Sequence, residues 1–499
     1  MSESSKCEYF KRFGKNVVGA NATFETPYGV KKLLYADWIS SGRLYGPIEK
    51  TILERFGPMV GNTHSESSET GTTMTMAYHQ ARRIIKRHVN AGADDVLLTP
   101  GHGMTSAVNK FIRILGLKLP ETFKKLYIPD TSKLHTDDEN RPVVFVSHME
   151  HHSNHTSWLE TLADVVVVPP GKSLLLDPDN LAKALKPYKH RKFIYGSFSA
   201  ASNVTGIINP IHDLAEIMHE HGGFAFVDFA AAAPYVDIDM RPDSISRRLD
   251  AIFFSPHKFL GGPGTSGVLV FNRKLYENET PDQPGGGTVE WTDRWGRRRY
   301  IGDVEIREDG GTPGFLQTIR TALAIRLKEK MTVEKIAERE EILLEKTFRR
   351  LKRVPGVSIL ADDENVRRIG VVSFRHDSAH HNLIVKLLND RYGIQVRGGC
   401  SCAGTYAHYL LDISIKASEE MTRKISSGDS SAKPGWVRVS LHPLMTDDEV
   451  EFIMDAIEEI TKRHAEWAKD YIHDKRTNEW FHKTIPPKNP DDFDPWFEI

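Results

Sequence analysis

Short apolar runs and amphipathic segments alternate through the middle of this sequence, and this alternation constrains the fold more than any other feature. The apolar runs end at turn residues, and stretches with helical periodicity separate them. The alternating segments are 163–169, 181–185, 192–197, 214–221, 222–228, 251–254 and 267–271. Because strands joined through helices pair in parallel, the pattern predicts an α/β fold with a large, doubly wound, mostly parallel sheet.

The composition is typical of a globular protein with more than one domain. The chain has 499 residues, of which 39% are hydrophobic and 27% charged, and its formal net charge is −1. This balance favours neither a nucleic-acid nor a membrane partner. The N-terminal residues contain no apolar signal core, and no apolar run is long enough for a membrane-spanning helix. Three cysteines cannot form a disulfide framework, so we expect a cytoplasmic protein.

A lysine follows one of the apolar runs, in the sequence Ser255-Pro-His257-Lys258, just before a Gly/Pro-rich turn. A lysine between two buried strands must reach water or lose its charge, and a neutral amine is a nucleophile toward aldehydes. Ser255 and His257 are able to hold an anion beside it. Together they suggest a Schiff-base lysine next to a phosphate site, as pyridoxal 5′-phosphate (PLP) requires. The alternative is a solvated loop lysine.

A carboxylate and a glycine-rich turn support this hypothesis. Asp228 ends the apolar segment 222–228, at the strand end where open α/β sheets bind ligands, and it could pair with a protonated pyridine nitrogen. Taken alone, it could equally cap the next segment. Residues 94–109 have the pattern of a strand, a turn around Gly103 and a helix start. Backbone N–H groups and the helix dipole at such a turn hold a phosphate without any charged side chain.

These segments resemble class V of the fold-type I PLP enzymes, particularly the group of cysteine desulfurases and selenocysteine lyases. The motifs occur in the family's order across residues 33–460. The resemblance implies a large PLP-binding domain over residues 46–320 and a smaller C-terminal α/β domain over 321–470, which segments near the N-terminus could join. Residues 1–45 would then be an N-terminal arm, and 471–499 a tail.

The resemblance also implies which residues contact the cofactor. Met104 and Thr105 stand in the family's phosphate loop. His151 matches the histidine that stacks on the PLP ring and acts as acid and base, and Asn203 matches the asparagine that touches both the phenolic oxygen of PLP and the substrate. Thr312, in a Gly-Gly-Thr-Pro-Gly turn, matches a threonine that binds the PLP phosphate of the partner subunit, which implies a homodimer.

Four histidines occur within eight residues, at positions 148, 151, 152 and 155. On a helix, 148 and 152 would share a face, as would 151 and 155, and this spacing is compatible with a metal site. However, a strand precedes them, and no carboxylate or cysteine stands nearby at ligand spacing. We therefore expect no metal and assign His151 to the cofactor.

The segment Arg397-Gly-Gly-Cys400-Ser-Cys402 contains two of the three cysteines. It resembles the Arg-x-Gly-x-x-Cys segment of type II desulfurases, which puts Cys402 on the catalytic cysteine. A Gly-flanked thiol beside cationic side chains would favour its thiolate form. Free cysteines are also commonly buried small hydrophobes, and Cys400 stands close by as an alternative. Arg438 matches the arginine that binds the substrate's α-carboxylate, and Arg397 is a second candidate for that role.

The implied reaction removes sulfur from L-cysteine, leaving alanine and an enzyme persulfide, with Lys258 or His151 moving the α-proton. A sulfur-acceptor protein is then a possible partner. Two departures leave the substrate open: Ala231 replaces a family glutamine that bonds to O3′ of PLP, and Ser65, after His64, replaces an arginine. The alternatives are another class V reaction (transamination, epimerisation or β-elimination) on a different amino acid, and a non-catalytic PLP-fold binding module.

The C-terminal third also has a pattern of strands and helices. We predict strands at 357–360, 371–375 and 436–441, a helix at 381–392, and a closing helix whose capping box is Thr446 with Glu449. Three polar stretches match no family motif. They are 118–141, predicted to be a surface excursion; 290–303, rich in Arg and Trp, which could cover the site; and 417–435, predicted to be an exposed loop or disordered insert.

Overall fold

The computed structural model describes residues 3–63, 66–128 and 138–499. Its helices are α1 (Glu3–Gly14), α2 (Gly46–Thr51), α3 (Glu69–His88), α4 (Gly103–Ile114), α5 (Glu121–Tyr127), α6 (His152–Leu159), α7 (Pro178–Leu185), α8 (Ile211–Glu220), α9 (Val304–Arg307), α10 (Phe315–Met331), α11 (Val333–Leu351), α12 (His381–Leu387), α13 (Gly404–Leu410), α14 (Ile415–Ser426) and α15 (Asp447–Trp467). Its strands are β1 (Thr23–Thr26), β2 (Gly29–Lys32), β3 (Leu34–Tyr35), β4 (Asp95–Leu98), β5 (Val143–Ser147), β6 (Asp164–Val168), β7 (Ile194–Ser199), β8 (Phe224–Asp228), β9 (Ala251–Phe254), β10 (Val268–Asn272), β11 (Val289–Thr292), β12 (Arg298–Tyr300), β13 (Val357–Ile359), β14 (Val371–His376), β15 (Ile394–Gln395), β16 (Arg397–Gly399), β17 (Trp436–Ser440), β18 (Tyr471–Asp474) and β19 (Glu479–His482).

A seven-stranded sheet forms the larger part of the protein, in the order β4-β10-β9-β8-β7-β5-β6. The strands from β9 to β6 are parallel, and β10 runs antiparallel between β9 and β4. Every residue of β4, β5, β7 and β9 is buried, which explains why most residues of β4, β5 and β9 are apolar. The predicted mostly parallel sheet is confirmed.

Helices cover both faces of this sheet, as a doubly wound fold requires. Alternate residues of β5 enter two different clusters: Phe145 packs with residues of α7 and α8, and Val144 packs with residues of α4. Successive side chains of a strand point to opposite faces, so the two clusters lie on opposite sides of the sheet. The carboxyl ends of the parallel strands are left free at one edge.

A second, four-stranded antiparallel sheet has the order β13-β14-β17-β16, and α11 and α12 pack against it. Strands β13, β14 and β17 lie within one residue of the predicted ones, whereas β16 was not predicted. Helix α12 continues as a π-helical turn over Leu388–Tyr392. The predicted capping box is present, with Glu449 N donating to Thr446 Oγ1 over 3.1 Å and Thr446 N donating to Glu449 Oε2 over 3.0 Å. Thus the helix boundary read from the residue types is correct.

Both ends of the chain contact this C-terminal part. Helix α1 packs on α11, and β3 pairs in parallel with β15. At the other end, β18 and β19 form a hairpin, and the buried Tyr471 donates to Asp390 Oδ2 over 3.0 Å. The first residues of the tail are therefore part of the folded structure, and the predicted domain boundaries at 45, 320 and 470 stay a prediction.

One of the three polar stretches that match no family motif has a different structure from the predicted one. Residues 415–426, expected to be a loop or disordered, form helix α14, which Ser414 caps through Ala417 N and which carries a Glu420–Lys424 ion pair. None of its residues is buried, but Ala417, Met421 and Ile425 recur every four residues, an amphipathic pattern that the Ser and Lys content of the segment obscured. The stretch 290–303 contains the β11–β12 hairpin with exposed Trp291 and Trp295, and residues 129–137 of the first stretch lie outside the described residues.

Across the described ranges, the helices are all too short or too polar to cross a lipid bilayer.

Candidate active site

A cavity of about 230 Å³ opens where β5, β7, β8 and β9 end. Loops that follow parallel strands meet at the same edge of a sheet, so residues far apart in sequence come together there. The cavity is lined by nearly all the residues singled out from the sequence, namely Met104, Thr105, His151, Asn203, Asp228, Ser255, His257, Lys258, Arg397, Cys402 and Arg438. Thr312 lies outside it, with its exposed hydroxyl 3.3 Å from Asn62 Oδ1. His64 and Ser65 fall outside the described residues.

The turn at the start of α4 approaches the strand β9 closely. Gly103 has a φ of +63°, and a Cβ atom there would lie 2.8 Å from Ser255 Oγ and 2.9 Å from His257 Cε1. The N–H of Met104 donates to Ser255 Oγ over 2.8 Å. The N-terminus of α4 therefore lies next to the Ser255 hydroxyl and the His257 imidazole, and there is no room for a side chain at Gly103. This arrangement fits a phosphate group.

Asp228 and Lys258 form the ionisable pair of the cavity. Asp228 is 4% exposed, and its Oδ1 accepts a 2.7 Å hydrogen bond from Ala230 N, while Oδ2 has no hydrogen-bond partner among the described residues. Burial raises the pKa of Asp228 and lowers the pKa of Lys258, and their mutual attraction opposes both shifts. A buried carboxylate with a free oxygen suits a protonated pyridine nitrogen, and a lysine that loses its charge suits an aldehyde. The pair fits PLP.

His151 has a defined tautomer. Its Nδ1 accepts a 3.1 Å hydrogen bond from Ser153 N at the start of α6, so the ring proton resides on Nε2. Burial, followed by the charge of Lys258, lowers the pKa of His151 to about 3. The imidazole is therefore neutral at neutral pH.

The neighbouring histidines contact separate partners. His148 Nε2 lies 3.1 Å from Leu174 O, and His155 Nδ1 lies 3.1 Å from Thr405 Oγ1. His152 Nε2 accepts a 3.0 Å hydrogen bond from the backbone of Gly404. Within the part of the chain that the structure covers, no group of three or more His, Cys, Asp or Glu side chains is arranged to hold a metal ion.

The two neighbouring cysteines have different surroundings. Cys402 is exposed and lines the cavity, whereas the half-buried Cys400 packs against an apolar cluster. Ser401 and Cys402 have φ values of 53° and 56°, in the left-handed region. The turn is held in place by Asn203 Nδ2, which donates to Ser401 O over 2.8 Å, and by His152 N, which donates to Cys402 O over 2.8 Å. The accessible thiol is thus Cys402.

A single carboxylate joins the two arginines of the cavity. Arg438, which is 3% exposed, donates to Asp37 Oδ1 over 2.8 Å and to Ser40 Oγ over 2.5 Å. The half-exposed Arg397 donates from Nε to Asp37 Oδ2 over 3.3 Å. Sequence reasoning missed Asp37 and Ser40 as partners of the arginines. Their polar character within an otherwise apolar stretch was the available signal.

One of the two departures from the family pattern lies in the cavity wall. Ala231 lines the cavity beside Ala230, so a methyl group occupies the place of the family's glutamine. His102 and Ser153 line the cavity as well, and neither was singled out from the sequence. Thr105 Oγ1 and Ser153 Oγ are 2.7 Å apart, which ties the phosphate turn to the start of α6.

Known proteins resemble this chain over most of its length. The probable cysteine desulfurase of Halobacterium salinarum is 27% identical over 441 residues, covering 86% of this chain and 92% of the relative. The probable cysteine desulfurase of Halalkalibacterium halodurans is 27% identical over 354 residues, covering 70% of this chain and 79% of the relative.

Solved structures share the fold. The apo cysteine desulfurase of Thermococcus onnurineus superposes with a TM-score of 0.69 at 21% identity, covering 90% of this chain and 98% of that one. The cysteine desulfurase CsdA of Escherichia coli gives a TM-score of 0.66 at 20% identity, covering 93% and 99%. The fold is therefore that of the fold-type I PLP enzymes, as predicted.

The sequence model of the aminotransferase class-V family matches residues 43–453. This range includes every residue of the cavity except Ile39 and Ser40. Enzymes of this class depend on PLP, and the cavity has a buried carboxylate, a lysine and a turn at a helix N-terminus that fit this cofactor. The chain belongs to the class-V aminotransferase family of PLP-dependent enzymes.

Proposed function

We propose that this protein removes the sulfur atom from L-cysteine, producing L-alanine and a persulfide on Cys402. One observation carries the proposal: the exposed thiol of Cys402 and the amine of Lys258 line the same cavity. The cavity of about 230 Å³ would have to hold both the cofactor and the substrate, which favours a small amino acid. Similarity to proteins named probable cysteine desulfurase supports the same reaction.

The cofactor would be held by residues already described. Lys258 would carry it, Asp228 would pair with its pyridine nitrogen, His151 would stack on its ring and Asn203 would lie near its phenolic oxygen. Its phosphate would bind at the turn and loop formed by Met104, Thr105, Ser255 and His257. When bound, PLP withdraws electrons from the substrate's Cα and so makes the bonds around that carbon easier to break.

Arg438 is the group best placed to bind the substrate's α-carboxylate. A guanidinium offers two parallel N–H groups to a carboxylate, and Arg438 is already oriented by Asp37, Ser40 and the carbonyl of Asn203. Because these contacts fix the side chain before substrate arrives, little ordering remains to be done on binding. Arg397, on the same carboxylate, is the second contact.

Lys258 would move the α-proton. Burial lowers the pKa of its ammonium, so a larger fraction of the amine is neutral and able to accept a proton at neutral pH. His151 is neutral, and its Nδ1 is occupied by the Ser153 N–H, so its Nε2–H is the side left to exchange a proton. Two groups with separate roles are thus available.

Cys402 would receive the sulfur. The Cβ–S bond of L-cysteine breaks as an S–S bond forms with the Cys402 sulfur, and Cβ takes a proton to become the methyl group of alanine. The transferred sulfur is oxidised to the sulfane state while the carbon is reduced, so the reaction needs no external redox partner. An acceptor thiol, supplied by a sulfur-acceptor protein in the cytoplasm, would then release the sulfur.

We also propose that the active enzyme is a homodimer in which Thr312 contacts the cofactor phosphate of the partner subunit. Thr312 is exposed and does not line the cavity of its own chain. Asn62 Oδ1, at 3.3 Å, is its hydrogen-bond partner within the described ranges. A side chain in this position is free to take part in an interface.

The test is to add L-cysteine to the PLP-loaded protein and measure visible absorption, sulfide in the presence of a reductant, and alanine. We expect an absorption change and equal amounts of both products, loss of sulfide production in Cys402→Ala, and retention in the matched control Cys400→Ala. An absorption change with other amino acids but no sulfide would reject the proposal and indicate another class V reaction. No change with any amino acid would indicate a non-catalytic binding protein.

A further inference from the structure

A second cavity, of about 550 Å³, is separate from the active site and shares none of its lining residues. One wall is helix α11, another is the loop 364–369, and a third is Tyr235 and Val236 from the segment that follows β8. It thus lies where the larger sheet's loops meet the C-terminal part, a common location for small-molecule sites. The proposed desulfurase reaction does not use it.

Two buried polar groups line this cavity without their full set of partners. Glu340 is 4% exposed, and its Oε1 accepts a 3.0 Å hydrogen bond from Gly370 N, but Oε2 makes no hydrogen bond to any described residue. Tyr235 is also 4% exposed, and its hydroxyl has no hydrogen-bond partner in the described parts of the chain. Among the described residues, neither oxygen belongs to the fully buried side-chain atoms that lack a partner, so both face the open space of the cavity and are available to a ligand.

The charge around these groups is negative. Four further glutamates line the cavity: 338, 341, 345 and 364. Two arginines oppose them, but Arg368 is engaged with the backbone carbonyls of Thr205, Ala361 and Asp363 at 3.1, 3.0 and 2.7 Å, and Arg367 is exposed. Glu338 pairs with Lys6, and Glu364 with Lys352, whereas neither Glu341 nor Glu345 forms an ion pair with a described residue. The site therefore selects against anions.

The remaining wall is apolar, formed by Leu344, Phe348, Val366, Ile369 and Ile208. We propose that this cavity binds a small organic ammonium ion, with the cationic nitrogen donating to Glu340 and the apolar body packed against Leu344 and Phe348. The Tyr235 hydroxyl supplies a second acceptor for the ammonium. A charged hydrogen bond in a buried site is stronger than a neutral one, so the cation should bind more tightly than an uncharged analogue.

Binding of the ammonium ion should release a proton from Glu340. Burial raises the pKa of Glu340 to about 8, so most of this carboxyl is protonated at pH 7 when the cavity holds no cation. An ammonium ion favours the carboxylate and lowers that pKa, so binding at pH 7 releases a proton. Proton release makes the calorimetric enthalpy depend on the ionisation enthalpy of the buffer.

The probe is N,N-dimethylphenethylamine, because a tertiary amine cannot condense with the PLP aldehyde. Titration calorimetry of the full PLP-loaded protein at pH 7, in phosphate and in MOPS, measures affinity and proton release together. We expect binding with proton release, and weaker binding of the neutral 2-phenylethanol and the anionic 3-phenylpropionate. Equal affinity for the amine and the alcohol, or no binding of the amine at millimolar concentration, would overturn the proposal.

Amine binding by variants tests whether the ammonium ion occupies this cavity. Glu340→Gln keeps the shape and removes the charge, so we expect at least tenfold weaker amine binding and no proton release. Glu334→Gln, on the exposed side of α11 and outside the cavity, is the matched control and should bind as wild type does. If Glu340→Gln does not fold, Tyr235→Phe takes its place, with several-fold weaker binding expected. Unchanged affinity in the cavity variant contradicts the assignment, whatever its effect on desulfuration.

Discussion

The backbone N–H of His152 donates a 2.8 Å hydrogen bond to the carbonyl oxygen of Cys402, and the His152 imidazole accepts a 3.0 Å hydrogen bond from the N–H of Gly404. These two bonds span the turn that presents the thiol. Left-handed backbone costs about 1 to 2 kcal/mol for each residue with a side chain, and Ser401 and Cys402 both adopt it. The turn therefore depends on contacts from outside itself, which orient the thiol toward the cavity.

We predict that His152→Phe lowers the rate of desulfuration roughly tenfold while the visible absorption of bound PLP stays unchanged. The phenyl ring fills the same space but cannot accept the Gly404 N–H, and one such hydrogen bond is worth on the order of 1 kcal/mol. The rate of Cys402 alkylation by iodoacetamide, measured by peptide mass spectrometry, should change in parallel. His152→Asn, which keeps an acceptor, should recover part of the activity; identical rates in all three proteins would show that the imidazole has no role in the turn.

Replacement of Gly103 should weaken cofactor binding. Gly103→Ala puts a methyl group 2.8 Å from Ser255 Oγ on a residue whose φ is +63°, so the phosphate turn must shift. A strain of about 1 to 2 kcal/mol corresponds to roughly a tenfold or larger rise in the dissociation constant of PLP. The matched control is Gly302→Ala, where a Cβ meets no atom within 4 Å. Titration of the apoprotein with PLP, followed by absorption, measures both, and equal affinities would argue against a phosphate site at this turn.

Ala231→Gln restores the side chain that the family has at this position. If Ala231 lies beside the phenolic oxygen of PLP, the added amide N–H stabilises the ionised oxygen, and the pH midpoint of the cofactor's visible band should fall. The readout is a pH titration of absorption in the wild type and the variant. A midpoint that does not move would mean that the glutamine cannot reach the cofactor in this cavity.

The pH dependence of the protein's stability should reveal the protonation state of Glu340. Burial raises the pKa of this carboxyl from 4.5 to about 8. The folded state thus holds a proton that the unfolded state loses above pH 4.5, and the associated stability is complete below that pH and lost as the pH rises through 8. We expect the melting temperature of the wild type to fall relative to Glu340→Gln between pH 5 and pH 9, as measured by scanning calorimetry. Parallel curves would exclude a protonated Glu340.

Residue patterns alone determined the larger features of this protein. The alternating segments predicted the parallel sheet because burial on both faces forces its strands to be continuous apolar runs. Asp228 and Lys258 were found from sequence because Asp228 ends one such run and Lys258 lies four residues after the end of another, and strand ends meet at one edge. Thr446 and Glu449 predicted a helix start because a capping box is a contact between close neighbours.

Features that depend on long-range contacts were decided by the tertiary structure. Arg438 and Asp37 are 401 residues apart, and no local pattern indicates that one carboxylate holds both arginines. Cys400 and Cys402 stand in the same short segment, and only the packing places the half-buried Cys400 against an apolar cluster and exposes Cys402 to the cavity. Helix α14 was missed because the Ser and Lys content of the segment indicated a loop, although Ala417, Met421 and Ile425 are spaced four residues apart, as on one face of a helix.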